Sequence, residues 1–194
     1  FAITTNGILI HQYSNSLMKY HYLKKINISL QCLIQFNDVE RENYIHNLNS
    51  FLLKREQEKS LVAINLRLWN NKDNVETKNL NQNILEVYKE KAKTSKNIHI
   101  SEADEFIWPS LDHSYNTNLT RCLGGKKQFA ILNDGSLCLC CLDYKGSTKI
   151  GNLFIDDFST LLQNSNYLEA ISGFNKRKPY FELCKKCTYR NRFK

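Results

Sequence analysis

Along the first hundred residues the apolar positions switch repeatedly between a two-residue and a three-to-four-residue spacing. The run FAITTNGILI at 1–10 reads as a strand ending in a Thr-Asn-Gly turn, and Ser16 to Leu23 then takes helical spacing. Ile26 to Leu30 alternates like a second strand. From Arg41 to Lys54 the residues Tyr44, Ile45, Leu48, Phe51 and Leu52 form the stripe of an amphipathic helix. Leu61 to Trp69 predicts a third strand and Asn79 to Ala92 another helix, through Leu80, Ile84, Leu85, Val87 and Tyr88; a short strand follows near Ile98 to Ile100. Strands alternating with helices of this length make βαβ units, so the pattern predicts a parallel sheet, either half a barrel or a small open sheet.

From about Leu111 the pattern changes. Phe129 to Cys138 predicts a β-hairpin, with Asn133-Asp134-Gly135 supplying the backbone freedom of a tight turn. Ile150 to Phe154 gives another extended piece. Asp157 or Ser159 can cap a helix running to about Ser172, and a cysteine pair follows Pro179. This is the start of a second, smaller unit.

Composition narrows the class. With 42% hydrophobic and 24% charged residues in 194, the chain reads as globular, and no apolar run approaches the roughly 18 residues of a membrane span. No targeting pattern stands at the start, so a cytoplasmic protein without a membrane partner is expected. The net charge of +8 is scattered over Lys24-Lys25, Lys89 to Lys96, Lys126-Lys127, Lys176 to Lys178 and Arg190 to Lys194, which argues for solvated faces over a nucleic-acid site. No P-loop, dinucleotide fingerprint or Ser-His-Asp arrangement is present, so hydrolase and nucleotide-phosphate chemistry have no support. His11, His21, His46, His99 and His113 show no ligand spacing with the cysteines.

The 7 cysteines carry the chemistry. An odd number and no sign of secretion point to reduced thiols, and clustered thiols in a reducing compartment are metal ligands. Cys184 and Cys187 form a C-x2-C pair that can reach one centre from a single turn; a tetrahedral ion or a cubane cluster needs two more thiolates. The candidates are Cys122 and one of Cys138, Cys140 or Cys141, since Cys32 lies in the other unit. On a continuing strand Cys138 and Cys140 share one face and Cys141 takes the other, which leaves the choice open. Zinc and iron-sulfur both accept such a set.

The run Cys122, Asn133-Asp-Gly-Ser-Leu-Cys-Leu-Cys-Cys-Leu-Asp-Tyr-Lys-Gly146, Ile150-Gly-Asn-Leu-Phe154 and Leu183-Cys-Lys-Lys-Cys187 resembles the C-terminal SPASM/twitch extension of radical S-adenosylmethionine (SAM) enzymes. Such extensions show a lone Cys, a DG turn with G-x4-C, an IGN or LGN element, a helix and a closing C-x2-C. Counting G-x4-C from Gly135 selects Cys140. The full SPASM pattern continues as C-x2-C-x5-C-x3-C, but Phe193 stands where its next cysteine would fall, so the twitch-like version fits better. The resemblance thus implies one auxiliary 4Fe-4S cluster on Cys122, Cys140, Cys184 and Cys187, with Cys138 and Cys141 as bystanders.

The first half agrees. Phe1 to Gly7 is similar to the family's barrel strand ending TNG, Ile26 to Leu30 to the next with its ISL, and Leu61 to Trp69 to the one after. By this resemblance Asn6, Ser29 and Arg67 sit where the family contacts SAM; Asn65 reads as a satisfied, inward-facing polar residue. The implied architecture is α/β: a partial (β/α) radical SAM barrel over 1–110, then a small α+β SPASM/twitch domain over 111–194, with a hairpin and helix around the metal. The family's C-x3-C-x2-C, which binds a second 4Fe-4S cluster that cleaves SAM, occurs nowhere in the chain. It belongs upstream of the strand at Phe1, so the chain is expected to be a truncated piece, not itself active in SAM cleavage. The implied substrate is a peptide or small molecule, and the implied electron source a reduced flavodoxin- or ferredoxin-like protein. Trp108, Tyr115 and Asp143 are candidates for the substrate mouth, with packing between the two units as the other reading of the two aromatics. Two rivals remain, a four-cysteine zinc module whose basic surface binds nucleic acid, and an electron carrier with a cluster but no SAM chemistry.

Overall fold

The computed structural model describes residues 1–71, 73–95, 97–117 and 121–192, so Phe193 and Lys194 lie outside it. The chain forms two compact units, Phe1–Glu105 and Phe106–Lys194.

The first unit is a parallel sheet of β1 (Ala2–Thr5), β2 (Lys25–Ser29), β3 (Ala63–Asn70) and β4 (Ile98–Asp104), in the order β1-β2-β3-β4. Helices α1 (Ser14–Lys19), α2 (Asp38–Gln57) and α3 (Val75–Thr94) fill the crossovers. Alternation along the strands turns Ile26, Ile28, Ile64, Leu66, Leu68 and Ile98 into one core with Tyr44, Leu48, Phe51 and Leu52 of α2 and Ile84 and Tyr88 of α3. This is the α/β partial barrel expected, with four strands among the described residues.

The helices run past their apolar stripes because caps, not the stripes, set their ends. Asn37 Oδ1 accepts from the Glu40 N–H at 3.0 Å while the Asn37 N–H donates to Glu40 Oε2 at 2.9 Å, a capping box that starts α2 three residues before Arg41. Asn74 caps α3 by half of this arrangement, its Oδ1 accepting from the Thr77 N–H at 2.9 Å. The helical spacing read from Ser16 to Leu23 yields only the short α1, which ends at Lys19.

The second unit has an antiparallel sheet in the order β5-β6-β7, from Ala130–Ile131, Ser136–Cys138 and Lys149–Asn152. Gly135 turns the hairpin at φ +81°, where a side chain would be strained. The expected single helix is two, α4 (Phe158–Leu161) and α5 (Ser165–Asn175), because Asn164 leaves the helical conformation and caps the second, accepting from the Asn166 N–H at 2.8 Å. A short α-helix, α6 (Glu182–Lys185), carries Cys184, and a 3-10 turn at Tyr189–Arg192 follows it. Leu137, Leu139, Ile150, Leu161, Ala170 and Phe174 form the core.

Candidate metal centre

Strand β6 ends at Cys138, so the alternation that would give Cys138 and Cys140 a common face stops there. Cys138 stays fully buried in the sheet, Cys141 is exposed, and Cys140 turns toward Cys122, Cys184 and Cys187. These last four thiols line one apolar cavity of about 30 Å³, walled by Leu139, Leu142, Phe174 and Leu183 and bordered by Arg190. The chain brings them there from three places: the turn before Gly124-Gly125, the bend after β6, and α6 with the turn beyond it.

Each of three sulfurs is paired with backbone N–H groups close behind it in the chain. The Gly124 N–H donates to Cys122 Sγ at 3.4 Å and the Leu142 N–H to Cys140 Sγ at 3.5 Å. At Cys187 the N–H groups of Arg190 and Tyr189 do the same work, and Gln128 Nε2 adds a donor to Cys140 at 3.4 Å. Such donors favour the charged sulfur. Burial opposes them. It pushes the Cys140 thiol up to about 12, with the neighbouring cysteines adding to the rise, and it raises Cys184 and Cys187 as well. Burial thus favours the protonated form of Cys140, Cys184 and Cys187 until a cation compensates the charge.

Arg190 is 1% exposed, and its Nη2 donates to the Thr117 carbonyl at 2.6 Å and to the Thr117 hydroxyl. Burial lowers its pKa, while Cys187, Cys184 and Cys122 act to raise it. Sequence reasoning counted Arg190 as surface charge; its one signal was its position three residues after Cys187. Asp143, named as a mouth residue, is 2% exposed and accepts from the N–H groups of Ser147 and Thr148 and from the Thr148 hydroxyl, so it pins the loop from Cys140 back to β7. Trp108 Nε1 donates to the Leu142 carbonyl at 3.1 Å, and Tyr115 stacks on His113.

Among the described residues, no three His, Cys, Asp or Glu side chains converge on the position of a single ion. The four thiols instead stand around the walls of their cavity. A cubane cluster presents its irons at separate corners, and four soft thiolates with N–H donors and apolar walls are the set it takes. The residues fit an iron-sulfur cluster.

In the first unit the three residues assigned to SAM lie level with one another. Ser29 ends β2 and is the register partner of Arg67, which lies inside β3 three residues before its end, and Asn6 follows Thr5, the partner of Ile28. Asn6 is held by its backbone: its carbonyl accepts from Tyr44 Oη at 2.7 Å and from Cys32 Sγ at 3.6 Å. One step down the same face, Asn65 Nδ2 donates to Asn27 Oδ1 at 3.1 Å, and Asn27 Nδ2 donates to Thr4 Oγ1 at 3.3 Å. Asn65 is thus satisfied, as the sequence predicts, on the face of the sheet opposite Ile64 and Leu66.

Residues 122–188 match the SPASM family, described as an iron-sulfur cluster-binding domain. Among solved structures, the chain is similar to native anSMEcpe, an anaerobic sulfatase-maturating radical SAM enzyme, with AdoMet and the Kp18Cys peptide bound, at TM-score 0.56 and 14% identity over 97% of this chain and 66% of that one. A tagged form of the same enzyme with AdoMet gives TM-score 0.54 and 15% identity over 97% of this chain and 62% of that one. The chain spans less than two thirds of these neighbours' length. No curated protein sequence matches it. The likeness to radical SAM enzymes with a SPASM domain therefore holds at two levels, the sequence family of the second unit and the fold of nearly the whole chain.

Proposed function

We propose that the chain is part of a radical SAM enzyme whose second unit holds one auxiliary 4Fe-4S cluster on Cys122, Cys140, Cys184 and Cys187. The observation that carries this reading is the single apolar cavity lined by those four thiols within the SPASM match. Four thiolates use all four irons, so the residues supply a closed site, suited to electron transfer and to ordering the lobe around it. When bound, SAM and a second cluster supply the 5′-deoxyadenosyl radical that takes a hydrogen atom from the substrate. This chain's part is to bind and orient: Asn6, Ser29 and Arg67 contact SAM, and the fixed turn at Asn6 holds one of those contacts in place. The substrate is a peptide or a small molecule, with the peptide bound by the structural neighbour as support for the former. Electrons come from a reduced flavodoxin- or ferredoxin-like protein in the cytoplasm.

Iron, sulfide and zinc analysis of the anaerobically purified protein tests the reading. About four irons and four sulfides per chain are expected. One zinc with no sulfide would overturn it and leave a structural zinc module.

A further inference from the structure

Five exposed cations of the second unit are gathered at one end of α5. Lys126 and Lys127 lie on the turn that follows Cys122; Lys176, Arg177 and Lys178 wrap back over the end of α5, with the Lys178 N–H donating to the Gly173 carbonyl at 2.7 Å. The two segments are far apart in sequence, yet Lys126 Nζ donates to Asn175 Oδ1 at 2.6 Å, and Tyr167 Oη donates to the Gly125 carbonyl at 3.0 Å. The turn is thereby fixed against the helix.

None of the five forms an ion pair among the described residues, whereas Arg41, Lys54, Lys93 and Lys185 all do. The end of α5 accounts for part of this, because its exposed carbonyls favour cations. It does not account for Lys126 and Lys127, which come from another segment. The patch also sits against the metal centre. Lys126 is four steps along the chain from Cys122, at most about 14 Å when extended, and Phe174, two residues before Lys176, walls the thiol cavity.

We infer that Lys126, Lys127, Lys176, Arg177 and Lys178 form the docking surface for an acidic electron-carrying protein that exchanges electrons with the centre in the second unit. The inference rests on the iron-sulfur reading above and adds the place of contact. Complementary charge across such a surface speeds encounter and fixes which face of the carrier meets the centre.

The test uses the reconstituted full chain and reduced flavodoxin as the probe, with electron transfer followed by anaerobic stopped flow at low and high salt. Two triple variants of equal charge change are compared, Lys126→Glu/Lys127→Glu/Lys178→Glu and Lys89→Glu/Lys91→Glu/Lys93→Glu on α3 of the first unit. The patch variant is expected to lose about tenfold in rate at low salt and most of its salt dependence, while keeping its iron, its sulfide and its rate of photochemical reduction; the α3 variant stays near the parent. Equal slowing of both variants, or no change in the patch variant, overturns the inference. So does a single-stranded RNA that binds the patch and leaves electron transfer unaltered. A parent chain that takes up no iron and sulfide fails at an earlier point: it removes the iron-sulfur reading itself, and the inference with it.

Discussion

Among the described residues of the first unit, 17 buried apolar side chains form one cluster between sheet and helices; the second unit, only somewhat shorter, has 6 in its cluster and sets four thiols around a cavity beside it. A core of that first size holds a parallel sheet unaided. The second falls in the range where small domains depend on a metal or other staple. The difference teaches where each unit's stability resides: in apolar burial for one and, on the iron-sulfur reading proposed above, in ligation for the other.

Removing the cluster breaks this comparison most directly. Chelation under anaerobic conditions is expected to release the amides of β6, β7 and α5 to hydrogen exchange while those of β2 and β3 keep their protection. Cys184→Ala, or Cys140→Ala, should lose most of the iron, whereas Cys138→Ala and Cys141→Ala retain it, because neither of those side chains lines the cavity. Simultaneous opening of both units, or iron loss on Cys138→Ala with iron retained on Cys140→Ala, would refute the division.

The reciprocal experiment is Leu66→Ala. Leu66 is fully buried in the middle of β3, so its truncation should cost the first unit about 2–5 kcal/mol by denaturant titration. Iron per chain and the exchange protection of β6 should not change.

What the sequence revealed follows the same division. The first unit was legible because burial on one face writes a period of two into Ile26-Asn27-Ile28 and a period of three to four into Tyr44, Leu48, Phe51 and Leu52. Helix starts were hidden because polar caps such as Asn37 carry no apolar signal. In the second unit the hairpin could be read from Asn133-Asp134-Gly135. Its polar framework could not: Asp143 holding Ser147 and Thr148, or Arg190 buried beside the thiols, depends on contacts that no local period records. Asn164 was another such case, a polar residue inside an apolar pattern that divides one expected helix into two.

A smaller effect sharpens the picture of the edge proposed to contact SAM. Gly7 has φ +77°, and a side-chain carbon there would lie 2.7 Å from Tyr44 Oη and 2.8 Å from Ile28 Cγ2. Tyr44→Phe removes the bond to the Asn6 carbonyl and is expected to cost about 1 kcal/mol and, on the function proposed above, to weaken SAM binding measured by calorimetry. Gly7→Ala should cost more, since it adds backbone strain to the clash. Unchanged stability in both variants would show that the turn is not held by this contact.

The smallest effect separates the units by the origin of their acid sensitivity. In the first, Glu58 and Glu90 lie below the ordinary carboxylate value of 4.5 because Lys54 and Lys93, respectively, bond them on the surface. In the second, Asp134 lies below 3.8 because the Ser136 N–H donates to it at 3.0 Å and the Ser136 hydroxyl at 2.7 Å. All three are lowered, so each stabilises its unit fully above the ordinary value and loses that contribution as pH falls through its own pKa. Salt separates them. Exposed ion pairs are screened, so the Glu58 and Glu90 values should return toward 4.5 at high ionic strength. The donors at Asp134 are a fixed amide and a hydroxyl, which salt does not screen, so its carboxyl should titrate below 3.8 at any ionic strength when followed by carbon NMR. An Asp134 value that climbs with salt as the glutamates do would mean that distant lysines, rather than the hairpin turn, hold it down.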